Sequence, residues 1–599
     1  MVGLPPNIRR LLFKVTLFGV ILLSVAQFLF IQKISRSSLS VQNCEESLRE
    51  ITRLKSESEI FHRTKNKVEV PFPQKPPTAE NLHPPQKPLQ TSPQDQKVPP
   101  MPLYRDLFVQ DTWPGVDLSF DLSLGGLPRT VYYLWCGEKQ FLFRHYLVLL
   151  SSIRILRASK IIFLHDHLPQ SDGNLYNTWF DEFKYFVPNF QLLQVSGTCG
   201  RKDALKAVLE LLPTEGGIVL GENALIPRLP TGIEHMPLWL ALSGEDVSRG
   251  VLIAQRGFNN TKSHDYLRDV KTVKASCLTA EQYTAPVDDI HCIIVDSDVH
   301  PRDVWQGQTP FAELARWLYY GRRSPILALP DPSRPIPRIA HYVWLKADPS
   351  AADRDLPFSK FLSMISALYV GGFQHVYVHG NVEPEGEWWR QLRSENVTFV
   401  RIERPRSMFQ MDFPNLQANS DFLRSILLLN YGGAYMDTDA VWTSRVPDWL
   451  LHYPVVASFD WPISGPWPNT FNLGVLLARP QAPWLRHWLT TFRHYRLSDS
   501  GFTATLLPYR VYEHYPDELY VYNRLQVICF YDICHPTWEK DFQRGLYDKQ
   551  PTLPFNVTDV HAMHVTQPKP AASWQTPKTL KMAADYFCGG RPPCSQAER

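Results

Sequence analysis

The stretch 420-SDFLRSILLLNYGGAYMDTDAVW-442 carries three patterns in succession. Residues 421–430 repeat apolar side chains at helical period. Gly432 and Gly433 interrupt the helix and let the backbone turn closely. Ala434-Tyr435-Met436 is a short apolar strand, and Asp437-Thr438-Asp439 stands at its tip before the chain returns to Ala440-Val441-Trp442. A helix followed by a buried strand is one step of an alternating α/β chain. Upstream, 339–345, 375–379 and 398–402 read as buried strands, and 358–370 reads as an intervening helix. The alternation predicts an α/β fold with a doubly wound, mainly parallel, Rossmann-like sheet. Ligands of such sheets bind at the carboxyl ends of strands, where the Asp-Thr-Asp tip falls.

The pattern occurs twice. The segment 127-LPRTVYYLW-135 echoes 336-IPRIAHYVWL-345, and 160-KIIFLHD-166 echoes 374-QHVYVHG-380. Likewise 203-DALKAVLELLPTEGGIVLGENAL-225 echoes 421-DFLRSILLLNYGGAYMDTDAV-441, and 249-RGVLIA-254 echoes 473-LGVLLA-478. Finally 305-WQGQTPFAELARWLYYGRR-323 echoes 574-WQTPKTLKMAADYFCGGR-591. Five echoes in one order argue for tandem duplication, giving domains at 111–330 and 331–599. The first copy has Gly221 and Asn223 in place of Asp437 and Asp439, Lys206 in place of Arg424, and Ser248 in place of Asn472. It keeps Gly216-Gly217, His291 and Trp305. It reads as a degenerate, metal-free copy that braces the other, binds acceptor or dimerises.

Asp-x-Asp alone is weak, since ~1–2 chance copies are expected at this length. Here 353-DRD-355 and 296-DSD-298 lie in polar surroundings and read as solvated. The 437-DTD-439 pair has apolar neighbours on both sides. Carboxylates beside a sheet cost several kcal/mol unless a cation or hydrogen bonds compensate. Such oxygen ligands suit Mn²⁺ or Mg²⁺. An ion of that kind can bridge a diphosphate and neutralise a nucleotide leaving group.

The whole of 420–442 resembles glycosyltransferase family 32, the DXD sugar transferases. That family's pattern runs S-D-x-x-R, an apolar helix, then G-G-x-Y-x-D-x-D, and every element is present here. Ile336 to Leu345 is similar to the family's first strand, and the resemblance covers about 336–590. It implies GT-A-like domains and an enzyme that moves a hexose or N-acetylhexosamine from a nucleotide sugar, UDP-linked, with retention of configuration. It implies that Asp439 ligates the metal and that Asp437 contacts the ribose, the donor sugar or a metal-bound water. Asp421 and Arg424, three apart on one helix face, would hold donor-sugar hydroxyls. Asn472 would line the donor pocket, and Trp574 would donate its indole N–H to the diphosphate. His561 or His564 would complete the metal shell. His561 is preferred because His291 aligns with it. Asp460 reads as a bystander at a strand end.

The rest of the chain places this site in a secretory setting. The 599 residues carry a net charge of +3 without a long basic run, so nothing points to nucleic acid. Residues 15–31 are uncharged; with Leu11 to Phe13, and Lys14 snorkelling, 11–31 would span roughly 31 Å as a helix. Ser24-Val25-Ala26 resembles a cleavage site, but the apolar run continues past it, favouring an uncleaved anchor after a cytoplasmic tail of residues 1–10. Residues 32–110, rich in Pro, Gln and Lys over 71–103, read as an extended stem. Asn259, Asn396 and Asn556 head N-glycosylation triplets. The nine cysteines have no zinc spacing and read as disulfides, with Cys44 placed to join two chains. The expectation is a single-pass type II Golgi membrane enzyme acting on a glycan acceptor, with homodimerisation through Cys44 or the first domain. A non-catalytic glycan-binding or scaffold pseudoenzyme is the rival. A glycoside hydrolase fits less well, because it needs two carboxylates ~5–9.5 Å apart around a sugar.

Overall fold

The computed structural model describes residues 129–566, except 171–175, 188, 196–211, 213–214, 230–231, 236–237, 244–245, 257–273, 285–291, 351–352, 410, 461–466, 495–500, 531–532 and 539–555. The expected anchor and stem, Cys44, Lys206, Asn259, His291 and Trp574 lie outside the described residues. Among the described residues no helix is long and apolar enough to cross a membrane. All of them fall within one compact unit, Phe72–Arg599.

That unit contains two lobes built on one plan. Lobe 1 holds β1 (Thr130–Trp135), β2 (Lys160–His165), β3 (Phe190–Gln194), β4 (Gly217–Leu220), β5 (Ala224–Leu225), β6 (Leu238–Ser243), β7 (Asp246–Ala254), β8 (Lys274–Thr279) and β9 (Cys292–Ile294). Their spatial order is 3-2-1-4-7-6-8-9-5. Lobe 2 holds β10 (Ile339–Trp344), β11 (His375–Gly380), β12 (Val397–Arg401), a hairpin of β13 (Ser407–Met408) and β14 (Met411–Asp412), β15 (Gly433–Met436), β16 (Ala440–Trp442), β17 (Val455–Phe459), β18 (Phe471–Ala478), β19 (Tyr520–Val521), β20 (Gln526–Phe530), β21 (Ile533–His535) and β22 (Ala562–Thr566). Its main sheet runs 12-11-10-15-18-17-19, and a second sheet runs 16-22-20-21. If β19 and β20 together are matched to β8, both lobes trace the same path. Within each, the first four strands pair in parallel and the next two pairings are antiparallel. The sheets are therefore mixed and parallel-rich. The two reversals escaped the sequence pattern because buried parallel and antiparallel strands share the same apolar runs.

The predicted strands and helices of lobe 2 appear within a residue or a few of their expected ends. Among the helices, α1 (Phe143–Arg154), α2 (Trp179–Phe186), α3 (Pro301–Trp305) and α4 (Pro310–Tyr320) belong to lobe 1. Lobe 2 has α5 (Phe358–Ser366), α6 (Gly386–Arg393), α7 (Leu416–Tyr431), α8 (Pro483–Thr491) and α9 (Leu507–His514). The Asn415 side chain caps α7 by accepting from the Ala418 N–H at 2.8 Å. Gly432, at φ +65°, ends the helix. A Cβ there would lie 2.5 Å from Pro480 Cδ and 2.9 Å from the Ala478 carbonyl oxygen. Gly216 has φ +66° and would strike the Ala254 carbonyl oxygen at 2.9 Å. Both lobes need glycine there for one reason: the helix must turn straight into a strand already paired with its neighbour. Disulfides join Cys277 to Cys292 across β8 and β9, and Cys529 to Cys534 across β20 and β21; Cys136 is also disulfide-bonded.

Candidate metal and sugar-donor site

Asp437 directly follows β15, and three backbone hydrogen bonds fix the turn it opens. The Asp437 N–H donates to the Gly474 carbonyl at 2.7 Å, Ala440 N–H to the Asp437 carbonyl at 3.1 Å, and Val565 N–H to the Asp439 carbonyl at 3.0 Å. The turn is thus held between β18 and β22, and its two carboxylates are presented at the sheet's edge.

Behind Asp437 lies a buried polar cluster from α7. Arg424 donates through Nη2 to Asp437 Oδ1 at 3.0 Å and through Nη1 to the Leu473 carbonyl at 2.6 Å. The same Nη2 sits 3.1 Å from Asp421 Oδ1. The Tyr435 hydroxyl donates to Asp437 Oδ1 at 2.9 Å, is 2.7 Å from Ser420 Oγ, and its ring lies 4.3 Å beneath the Arg424 guanidinium. Burial would weaken the Arg424 charge, but Asp437, Tyr435 and Asp421 outweigh it and keep the guanidinium ionised. Asp421 is pushed up to about 6 by burial, against the pull of Arg424. Its Oδ2 is buried and carries no hydrogen bond. A buried carboxylate oxygen left in that state is costly, and it gains a partner only if donor binding opens a path to it.

The third element is β22. Its register sets His564 against Ala440 of β16. His564 Nε2 lies 3.0 Å from Asp439 Oδ1 and 3.8 Å from Asp437 Oδ2. Nδ1 lies 3.0 Å from Asn472 Oδ1, and Asn472 Nδ2 donates to Asp460 Oδ2 at 3.2 Å. Gly474 makes room: a Cβ there would lie 2.3 Å from His564 Cε1. Burial alone would lower the imidazole pKa; Asp439, then Asp437 and Asp460, push it up to about 9. Burial raises the Asp439 carboxyl, but the His564 charge and hydrogen bond, with Lys360 beyond, bring it below its ordinary value. One ligand atom from each of Asp437, Asp439 and His564 lies within 4.8 Å of the others. Two carboxylates and an imidazole form a donor set suited to Mn²⁺. Without a metal the imidazolium itself balances the carboxylates, so a divalent ion would bind there in exchange for the Nε2 proton. With Nδ1–H given to Asn472, Nε2 is the nitrogen left to face one.

Residues 372–456 match the family described as glycosyltransferase sugar-binding region containing DXD motif. This part of the chain is thus similar to the sugar-binding region of DXD glycosyltransferases. The chain is 26% identical over 208 residues to glucan organizing enzyme 1 of Cryptococcus neoformans var. grubii, covering 32% of this chain and 56% of the relative. The chain thus spans little more than half the length of that relative. Among solved structures, it is similar to the PaToxG glycosyltransferase (15% identity, 31% of this chain, 70% of the other, TM-score 0.23). It is also similar to the galactosyltransferase LgtC in complex with donor and acceptor sugar analogs (13% identity, 42% and 95%, TM-score 0.22).

The DXD turn has a twin in lobe 1. There the Gly221 N–H donates to the Gly250 carbonyl at 2.9 Å, Ala224 N–H to the Gly221 carbonyl at 3.1 Å, and Val295 N–H to the Asn223 carbonyl at 2.9 Å. These are the same three bonds. Ala224 pairs with Ile294 as Ala440 pairs with His564. Lobe 1 therefore carries Gly221, Asn223 and Ile294 where lobe 2 carries Asp437, Asp439 and His564. Asn223 donates to Asp296 Oδ1 at 3.0 Å.

The preference for His561 is corrected. His561 and His564 are three apart on an extended chain, so their side chains leave opposite faces. His561 Nδ1 bonds Ser444 Oγ at 2.7 Å, and its carbonyl accepts from Thr443 N–H at 2.8 Å. It fastens the start of β22 and does not face the carboxylates. The structure brings Asp421, Arg424, Asp437, Asp439, Asn472 and Asp460 together around His564. Asp353, Asp355, Asp296 and Asp298 are exposed, as are the glycosylation candidates Asn396 and Asn556. Sequence reading missed Tyr435, Ser420 and Lys360. Lys360 Nζ and Lys346 Nζ each lie 4.9 Å from the centre of the Trp344 ring, and Asp439 acts on Lys360 electrostatically. A signal existed for Lys360: 358-FSKFL-362 echoes 143-FRHYL-147, with His145 in its place.

Proposed function

We propose that this protein is a metal-dependent glycosyltransferase of the secretory pathway, a type II Golgi membrane protein. Its second lobe would move a hexose or N-acetylhexosamine from a UDP-sugar to a glycan acceptor with retention of configuration. The observation that carries this reading is the convergence of Asp437, Asp439 and His564 in front of the Asp421–Arg424 pair. A bound Mn²⁺, held by those three side chains, would neutralise charge on the diphosphate leaving group. The remaining work falls to the chain's own residues. Asp421 would accept a donor-sugar hydroxyl once donor binding opens its buried carboxylate. Arg424 and the Tyr435 hydroxyl fix the Asp437 carboxylate, so its second oxygen keeps a single direction. Asn472 holds the His564 ring in one tautomer. The name of the fungal relative makes a glucan the first acceptor class to try. The test is Mn²⁺-dependent hydrolysis of UDP- and GDP-sugars by the purified protein. Turnover with at least one donor that disappears in Asp439→Ala is expected. No hydrolysis, and no donor-induced rise in melting temperature, would remove the enzyme reading.

A further inference from the structure

Lobe 1 reaches into the core of lobe 2. Tyr176, Trp305 and Ile326 are buried among residues of lobe 2, with the Trp305 ring edge-on to Tyr512 at 4.9 Å. The Tyr176 hydroxyl donates to Glu513 Oε1 of α9 at 2.7 Å. Arg510 of α9 lies between Glu513 (3.2 Å) and Glu182 of α2 (3.4 Å), with its guanidinium 3.4 Å from the centre of the Trp179 ring. Glu182 and Glu513 are fully buried. Separating the lobes would take Glu182 from Arg510 and Tyr176 from Glu513, and would expose the apolar side chains packed around them to water.

The same contact reaches the site. The Tyr176 ring packs on Trp467 at 5.1 Å, and Arg302 Nη1 donates to the Pro468 carbonyl at 3.4 Å. From Trp467 the chain runs directly into β18. The Thr470 carbonyl accepts from the Asp460 N–H at 2.8 Å, and Asn472 then bonds both Asp460 and His564. Segment 467–472 therefore has lobe 1 at one end and the metal-facing imidazole at the other.

We infer that the degenerate lobe is a positioning element for the DXD site: Tyr176 and Arg302 hold segment 467–472, and through Asn472 that segment sets the orientation of His564. The inference rests on the reading of Asp437, Asp439 and His564 as a metal site. It gives the degenerate lobe a task that requires no chemistry of its own, and it makes lobe 2 alone an incomplete site.

The test compares the full chain with Tyr176→Ala and Tyr176→Phe by two readouts. Amide hydrogen exchange over 467–474 reports the segment, and Mn²⁺ binding followed by electron paramagnetic resonance reports the site. In Tyr176→Ala, exchange over 467–474 should rise about tenfold or more while β10 to β12 stay protected. Mn²⁺ should bind roughly tenfold more weakly, as when a residue that orients a ligand is lost. Tyr176→Phe keeps the ring on Trp467 and should restore both. A folded Tyr176→Ala with unchanged exchange overturns the brace. Raised exchange with unchanged Mn²⁺ affinity overturns the link to His564. If the wild type binds no Mn²⁺, the functional reading fails instead, and exchange alone still decides the brace. Should Tyr176→Ala not fold, Arg302→Ala, half exposed in the structure, takes its place. A twofold rise in exchange at 467–474 supports the brace, and no change overturns it.

Discussion

The two lobes share a turn, bond for bond, and differ in the side chains they hang on it. Gly221, Asn223 and Ile294 stand where Asp437, Asp439 and His564 stand. The strand, the glycine break and the three backbone hydrogen bonds survive that exchange. The fold therefore does not depend on the carboxylates or the imidazole. A trio dispensable to the fold, yet brought together from two separate elements in lobe 2, is the observation that supports the metal-site proposal. Loss of the whole trio in lobe 1 is what abandonment of one shared ligand would leave.

The largest expected effect comes from making lobe 2 resemble lobe 1. Asp439→Asn should lower Mn²⁺-dependent donor turnover by roughly 10³-fold. The turn should survive, since Asn223 serves it in lobe 1, and the melting temperature should fall only by the loss of the Asp439–His564 ion pair. A large fall in stability would mean that the two turns are not interchangeable.

Next come the histidines. His564→Ile copies lobe 1 and should weaken Mn²⁺ binding by ~10–100-fold, measured by titration. His561→Ala should leave Mn²⁺ affinity alone and cost about 1 kcal/mol of stability for the lost Ser444 bond. These variants also show where the sequence stopped being legible. The α/β alternation, the duplication and the Asp421–Arg424 pair are local patterns and could be read directly. Which histidine faces the site depends on the register of β22 against β16, which no local pattern encodes. The alignment of His291 with His561 agrees with the register, because Cys292 and Ala562 are equivalent by strand pairing. A residue that both lobes share does not separate them, whereas His564 stands opposite Ile294. The Arg510 junction was illegible for another reason, since it acts through contacts between elements far apart in sequence.

The comparison can also be run backwards. Gly221 lies outside the left-handed region, so an aspartate fits its backbone. The triple change Gly221→Asp, Asn223→Asp and Ile294→His should give lobe 1 a weak Mn²⁺ site. Titration would then show two ions bound per chain, with the second at least tenfold weaker, because Lys206 replaces Arg424. A stoichiometry that stays at one would mean that more than this trio separates the lobes.

The smallest effect lies at the junction between them. Burial, opposed by Arg510, pushes both Glu182 and Glu513 up to about 7 in the folded protein. An unfolded chain holds these groups near their ordinary value of about 4.5. Between those values the folded state binds more protons, so stability falls as pH rises through the window. The protein should be more stable at pH 6 than at pH 8, by about 1 kcal/mol from this source. Glu182→Gln should flatten that slope in a series of thermal melts.

The most direct measurement is the nitrogen coupling to bound Mn²⁺, read by pulsed electron paramagnetic resonance in three proteins. The wild type should bind one Mn²⁺ with an imidazole nitrogen in its shell. The coupling should vanish in His564→Ile and persist in His561→Ala. No bound Mn²⁺, or a coupling lost only with His561, would contradict the assignment of Asp437, Asp439 and His564 as the metal site.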